Sequence, residues 1–207
     1  MATIPIQISL RKEGEPNKPA LFNCSMSEND FEAFKNVMQG KGVLGTRVNP
    51  LPIGNFLKKD VINSQEIPCF EWGNALIMEI EGDDIELLFC ELRNTNKDFT
   101  NNIYTEIDGE NAHNWSNIMS VATSSGKSST PPNGSLFLDP IFEHPNQSAF
   151  GLLDSNNPKR LKTDIYISYN IVFSWKLSTK KNEQPKTYYF VHDPVIKVSS
   201  NTPPPEL

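Results

Sequence analysis

Residues 163–177 read TDIYISYNIVFSWKL, and Ile165, Ile167, Tyr169, Ile171, Phe173, Trp175 and Leu177 all fall on one side of a period-two alternation. That pattern is a long β-strand with one buried face. The opposite side carries Asp164, Ser168, Asn170, Ser174 and Lys176, broken by Tyr166 and Val172, so it is partly wetted or covered by a polar partner. At roughly 3.3 Å per residue the stretch would span about 50 Å, far beyond the usual strand. A bulge or bend is therefore expected inside it.

Working outward, the same signals recur along most of the chain. Ile4, Ile6, Ile8 and Leu10 alternate with polar residues, and a short strand is expected at Ala20 to Cys24. The period then changes. Ser27 and Asp30 resemble an N-terminal cap, and Phe31, Phe34, Val37 and Met38 recur at helical spacing. Gly40 supplies a stop, which predicts one short helix at about 27–39, packed as a lid over one end. Residues 41–68 read as an ordered surface excursion. ALIMEI and IELLFCEL flank Glu81, Gly82, Asp83 and Asp84, which predicts a hairpin whose strands are covered on both faces. Strands follow at Ile103 to Ile107, Leu136 to Phe142, Phe150 to Leu153, Tyr188 to His192 and Val195 to Val198. Asn117 to Thr123 fits either a strand or a short helix.

These readings predict an all-β protein: an antiparallel β-sandwich, jelly-roll or Ig-like, forming a single domain over residues 1–198. A flexible Pro-rich tail, 199–207, follows. With 207 residues, 37% hydrophobic composition and 12 Phe, 5 Tyr and 3 Trp, the chain can bury a sizeable core. Cys24, Cys69 and Cys90 stand far apart in an odd set, which argues against a disulfide framework or a zinc site. No apolar run approaches a membrane span and no signal peptide is evident. The expected location is the cytoplasm, with any release following a route that needs no signal peptide. No cofactor is expected.

Charge is uneven. Between Pro158 and Thr187, seven basic residues (Lys159, Arg160, Lys162, Lys176, Lys180, Lys181, Lys186) face Asp164 and Glu183. That is +5 in a chain whose total is −6, leaving −11 on the rest. A solvated hairpin with lysines guarding a strand edge accounts for this. The sharper reading is self-complementarity, in which the basic hairpin of one copy meets the acidic body of another. Lys159, Arg160, Lys162, Lys180, Lys181 and Lys186 are then the self-association surface. No nucleic-acid partner is expected, because the total is acidic and the basic residues are not interleaved with a recognisable binding motif.

Motifs for catalysis are missing. Gly126, Lys127 and Ser128 imitate the end of a phosphate loop, but the fingerprint fails at Val121. His113, His144 and His192 have no partner at catalytic spacing and read as surface or turn residues. Glu81, Asp83, Asp84 and Glu86 form one acidic cluster and Asp108, Glu110 and Asn111 another, with no EF-hand ladder. Trp175 belongs to the core, whereas Trp115 sits in a polar setting suited to stacking a sugar. Asp83, Asp84, Asp108 and Trp115 thus define the alternative ligand loops of a carbohydrate-binding module, calcium-assisted or not, with a glycan as partner. Two Asp-Pro dipeptides, at Asp139-Pro140 and Asp193-Pro194, read as strand interruptions.

The closing segment, a long alternating strand, a polar turn and then YYFVHDPVIKVSS, resembles the end of the PixA/AidA family of bacterial inclusion-body proteins. The residues carrying the resemblance are Tyr189, Phe190, Asp193, Pro194, Val195, Ile196 and Val198. It implies a β-sandwich without catalytic residues, a cytoplasmic bacterial protein that accumulates and forms homo-oligomers or larger assemblies. The chain departs from the family in its Phe-rich helix near residue 31 and in having 5 Met.

Overall fold

The computed structural model describes residues 4–14, 20, 22–59, 69–95, 119–121, 135–158, 165–180, 182–193 and 195–199. In chain order the elements are β1 (Ile6–Lys12), β2 (Phe22–Met26), α1 (Glu28–Lys41), β3 (Leu51–Pro52), β4 (Lys58–Lys59), β5 (Cys69–Glu71), β6 (Ala75–Glu81) and β7 (Ile85–Thr95). They continue with β8 (Met119–Val121), β9 (Ser135–Leu138), β10 (Gln147–Leu152), β11 (Ile165–Leu177), β12 (Lys186–His192) and β13 (Val195–Ser199). The described residues are mostly β-sheet with one α-helix, an all-β fold. One sheet runs β4-β2-β1-β6-β10-β8; in the other, β11 lies between β7 and the β12/β13 pair, with β9 beyond β7 and β3 and β5 on the far edge.

Alternation explains how both sheets share one interior. Ile6, Ile8 and Leu10 of β1 and Leu76, Met78 and Ile80 of β6 are buried from the first sheet. Ile167, Tyr169, Ile171, Phe173, Trp175 and Leu177 of β11 are buried from the second, and all belong to a single apolar cluster. The opposite face of β11 is drier than the sequence implies, because Ser168, Val172 and Ser174 are also buried. In β6 the burial alternates between buried and half-buried positions, so it is not covered equally on both faces as expected.

The expected bulge exists, but on the neighbouring strand. Val172 pairs with Phe89 and Phe173 with Leu87, so Leu88 is the extra residue, and β7 absorbs the irregularity while β11 stays continuous. Along the other edge of β11, Ile171 pairs with His192 and Ser168 with Val195. The members of each side stand three positions apart, so β12 and β13 hold one register across the Asp193-Pro194 interruption.

The predicted hairpin at residues 81–84 does not form. β6 pairs with β1 and β10, whereas β7 pairs with β11 and β9, so the turn is an arch that carries the chain from one sheet to the other. Its backbone chemistry is nevertheless the one the sequence indicates: Gly82 has φ 156° and Asp84 φ 59°. Strong apolarity in both segments reflects burial in two different sheets rather than pairing with each other.

Helix α1 starts where expected, with the Ser27 hydroxyl accepting from the Asp30 amide at 3.2 Å. It continues through Gly40 and ends at Gly42, whose φ of 63° supplies the left-handed cap. Phe34 and Met38 are buried and Val37 is exposed. Of the other expected elements, residues 119–121 are a strand, and Ser199, assigned to the tail, still belongs to β13. The strand expected at 103–107, the loop at 126–128 and residues 200–207 lie outside the described residues.

Candidate functional site

The end of the second sheet gathers the charged groups of interest. The β7 start, the β11 end and the β12 start lie side by side, with Trp175 opposite Ile85, Ser174 opposite Glu86, and Leu177 opposite Lys186. The 82–84 arch is fastened to β11 by two hydrogen bonds: the Trp175 indole N–H donates to the Asp83 carbonyl at 3.0 Å, and the Lys176 amide donates to the Asp84 carbonyl at 3.0 Å. Glu81, Asp83, Asp84 and Glu86 keep exposed side chains, as do Lys176, Lys180 and Lys186. Glu86 and Lys176 are diagonal neighbours on one face, a separation of about 7 Å between such positions. Acidic arch and basic turn are thus adjacent parts of one surface.

The β11–β12 turn is ordered by its own polar groups. Lys186 Nζ lies 2.5 Å from Glu183 Oε1, Thr179 Oγ1 donates to Glu183 at 3.3 Å, the Ser178 hydroxyl donates to the Glu183 carbonyl, and Asn182 has φ 68°. The bond to Lys186 holds the Glu183 carboxyl below its ordinary range, and Glu183 in turn holds the Lys186 ammonium above its own. Both side chains are solvent-accessible, so the pair shapes the turn more than it stabilises the fold.

Beneath this surface, α1 closes the end of the core. The Phe31 and Phe34 rings stack on Trp175 with centroids 5.3 and 5.8 Å away, and Phe34 meets Phe56 at 5.1 Å and Phe190 at 5.6 Å. The charged end therefore rests on a rigid aromatic plug.

A second arch, between β9 and β10, adjoins the first. The Asn146 side chain accepts from the Leu87 amide at 3.2 Å and donates to the Ile85 carbonyl at 3.4 Å, while its own carbonyl accepts from the Ile80 amide at 3.0 Å. Ile141 and His144 form a bridge across the tip. Phe142, on that tip, is 94% exposed. The sequence places it in the strand expected at Leu136 to Phe142, but β9 ends at Leu138, just before the Asp139-Pro140 interruption.

Two further groupings were not apparent in the sequence. Inside, Tyr169, Cys24 and Cys90 approach one another from facing sheets, and burial pushes the Tyr169 hydroxyl well up. Burial likewise pushes the Cys90 thiol up to about 12, with Ser148 opposing the shift through a hydrogen bond. Outside, Phe89 and Phe137 meet at 5.6 Å, Arg47 lies 5.8 Å over the Phe89 ring, Asn170 donates to Glu91 at 3.0 Å and Ser168 to Asp193 at 2.8 Å.

The structure brings together only part of each expected set. Lys180, Lys186, Asp83 and Asp84 meet at one end, whereas Lys159, Arg160, Lys162, Lys181, Asp108 and Trp115 lie outside the described residues. The backbone carbonyls of Asp83 and Asp84 hold the arch to β11, and their side chains are exposed. Of the segment resembling the inclusion-body proteins, Phe190 is fully buried, Tyr189 is half-buried, and Asp193 accepts from Ser168. Ile196 and Val198 pair with Ile167 and Ile165, and Pro194 lies outside the described residues. His192, expected at the surface, is buried and stacks on Phe22 at 6.2 Å, because it shares the inward face of β12 with Phe190. His144 is exposed in a turn as expected, and His113 lies outside the described residues. Trp175 is core, and so is Trp72.

Among the described residues no cluster of three or more His, Cys, Asp or Glu could hold a metal ion, and no helix is long and apolar enough to cross a membrane. No protein-family model matches this chain, and no curated protein or solved structure matches it.

Proposed function

We propose that this chain is a non-enzymatic β-sandwich protein that acts by associating with further copies of itself in the cytoplasm, as the resemblance to the inclusion-body family implies. The observation that carries this reading is the adjacency of Glu86 to Lys176 on the outer face of the second sheet, with Asp83 and Asp84 in the arch bonded to β11 and Lys180 in the turn that follows β11. Side-by-side patches of opposite sign are self-complementary under a two-fold axis, since each meets its opposite on the partner copy. Such complementarity sets partner choice and encounter rate more than raw affinity.

The test uses two variants and their mixture. Lys176→Glu/Lys180→Glu makes the surface largely acidic, and Asp83→Lys/Glu86→Lys makes it largely basic. Each alone is expected to sediment as the 23.3 kDa monomer under conditions where the unmodified protein forms larger particles, and the equimolar mixture is expected to assemble again. Raising salt dissolves the assembly, because the Debye length is about 8 Å at physiological ionic strength and about 3 Å at 1 M. An unmodified protein that stays monomeric at every concentration and salt sinks the reading.

A further inference from the structure

We infer that the outer edge of β12 is a second self-association site, able to take a strand from another copy of this chain, and that residues 43–52 are the strap that keeps it shut. This goes beyond the charge-based reading, because pairing at that edge uses backbone amides and carbonyls rather than charged side chains.

Thr187 to His192 reads TYYFVH, rich in aromatic and β-branched side chains, with no Gly, no Pro and no formal charge. Segments of this kind are the ones most prone to pair with copies of themselves. In β11 comparable apolarity is harmless, since both its edges are occupied, by β12 and β13 on one side and by β7 on the other. β12 has β11 on one side, and across its other edge lies only the two-residue strand β3. A row of N–H and C=O groups at the edge of such a sequence is a template for adding a strand from another chain.

The strap lies along that row. The Tyr189 amide donates to the Leu44 carbonyl at 2.9 Å, Leu51 and Pro52 run parallel to Phe190 and Val191, and the Ile53 amide donates to the Val191 carbonyl at 3.0 Å. In between, the segment doubles back on itself, closed by the Thr46 amide to the Asn49 carbonyl at 3.0 Å and the Asn49 amide to the Thr46 hydroxyl at 2.9 Å. Its tip reaches the outer face of the sheet, where the Arg47 guanidinium stands 5.8 Å from the Phe89 ring centre. Gly45 sets how closely it lies: with φ 70°, a Cβ there would stand 2.8 Å from the Tyr189 carbonyl oxygen.

The strap is lightly held. Val43 is 54% exposed and Val48 85%, and Thr46, Arg47 and Asn49 are exposed too. Residues 43–49 therefore bury little apolar surface, and opening them costs far less than unfolding the sheets. Ile53, fully buried, is the fixed end on which the strap swings. Opening frees the Tyr189 amide, whereas the amides of Tyr188 and Phe190 alternate toward β11 and stay paired.

The test combines amide exchange followed by NMR with light scattering of the full chain in 1 M salt, where a Debye length of about 3 Å suppresses charge-based association. Gly45→Val is expected to speed exchange of the Tyr189 amide tenfold or more relative to those of Tyr188 and Phe190, and to raise the rate of salt-resistant assembly by a similar factor. Arg47→Ser releases the exposed tip without touching the backbone and is expected to act in the same direction more weakly, which keeps the test decisive should Gly45→Val fail to fold. Adding Thr187→Pro to either variant removes an outward-facing N–H from the edge and leaves the β11 pairing intact; assembly is expected to fall back to the unmodified level while Tyr189 exchange stays fast. Faster Tyr189 exchange without a gain in assembly overturns the inference, as does assembly that Thr187→Pro leaves unchanged. Tyr189 exchange that neither opening variant alters overturns the strap. The charge-based reading is judged at low salt, so the two fail separately.

Discussion

The indole N–H of Trp175 reaches the backbone carbonyl of Asp83 at 3.0 Å, joining an inward residue of the longest strand to the turn that carries the chain between sheets. The same indole stacks under Phe31 and Phe34. One side chain thus couples the helix, the second sheet and the acidic arch. Trp175→Phe keeps the stacking and removes the donor, and is expected to lower stability by about 1–2 kcal/mol. Trp175→Ala also opens a cavity and is expected to cost about 3–5 kcal/mol. Urea unfolding measures both, and equal losses in the two variants would refute the separate role of the indole N–H.

Two glycines are expected to respond in opposite directions. A Cβ on Gly82 would stand 2.6 Å from the Pro5 carbonyl and collide with the Ile85 side chain, at φ 156°. Gly82→Ala is expected to destabilise by about 1–3 kcal/mol. Gly40 lies inside α1 with open space around its Cβ position, so Gly40→Ala is expected to stabilise by about 0.5–1 kcal/mol. Denaturant midpoints of the two variants moving in the same direction would contradict this.

At the helix start, Ser27 first and Lys58 second hold the Asp30 carboxyl below its ordinary 3.8; Lys58 Nζ lies 2.9 Å from Asp30 Oδ2. A depressed carboxylate contributes stability that is present above pH 3.8 and is lost as pH falls through the lower folded value. Ser27→Ala is expected to raise the Asp30 midpoint in an NMR titration and to cost about 1 kcal/mol of helix stability through the lost cap. An unmoved midpoint would remove Ser27 as the cause.

Cys90 titrates in the other sense. Burial raises its thiol from 9.0 to about 12, so its contribution to stability is complete below pH 9.0 and is lost as pH rises toward 12. Because the thiolate is the nucleophile, maleimide labelling of Cys90 at pH 8 is expected to be slow in the native protein and to speed up only with unfolding in urea. Rapid native labelling, located by peptide mass mapping, would show that the thiol is accessible.

How much was legible in the sequence follows the range of the forces involved. Ser27, Asp30, the Phe31/Phe34 spacing and the alternation in β11 depend on neighbours a few residues away, and the helix start and the buried face of β11 are where local chemistry puts them. The helix end shifted from Gly40 to Gly42 because a glycine inside a helix costs only about 1 kcal/mol relative to alanine, which packing can override. Gly82 and Asp84 adopt the positive φ values their residue types allow. Local preference defines a tight reversal, and says nothing about whether the flanking strands pair with each other or with strands elsewhere.

Of the charged surface, the sequence disclosed the composition and the structure disclosed the adjacency. Lys180 and Lys186 are visible as lysines at a hairpin turn, and Asp83, Asp84 and Glu86 as an acidic turn far earlier in the chain. Only the pairing of β7 with β11, stepped by one residue at Leu88, sets Glu86 beside Lys176.

By itself, then, the amino-acid sequence determined an all-β chain with one capped helix, a long central strand and segregated charge, because periodicity, capping and turn chemistry act over a few residues. Tertiary structure alone decided that the 82–84 turn crosses between sheets, that His192 is buried, that the irregularity falls in β7, and that Phe142 is exposed on the β9–β10 arch. Each of these depends on contacts between residues far apart in the chain, whose free energy is set by burial and strand register and leaves no local trace in the order of side chains.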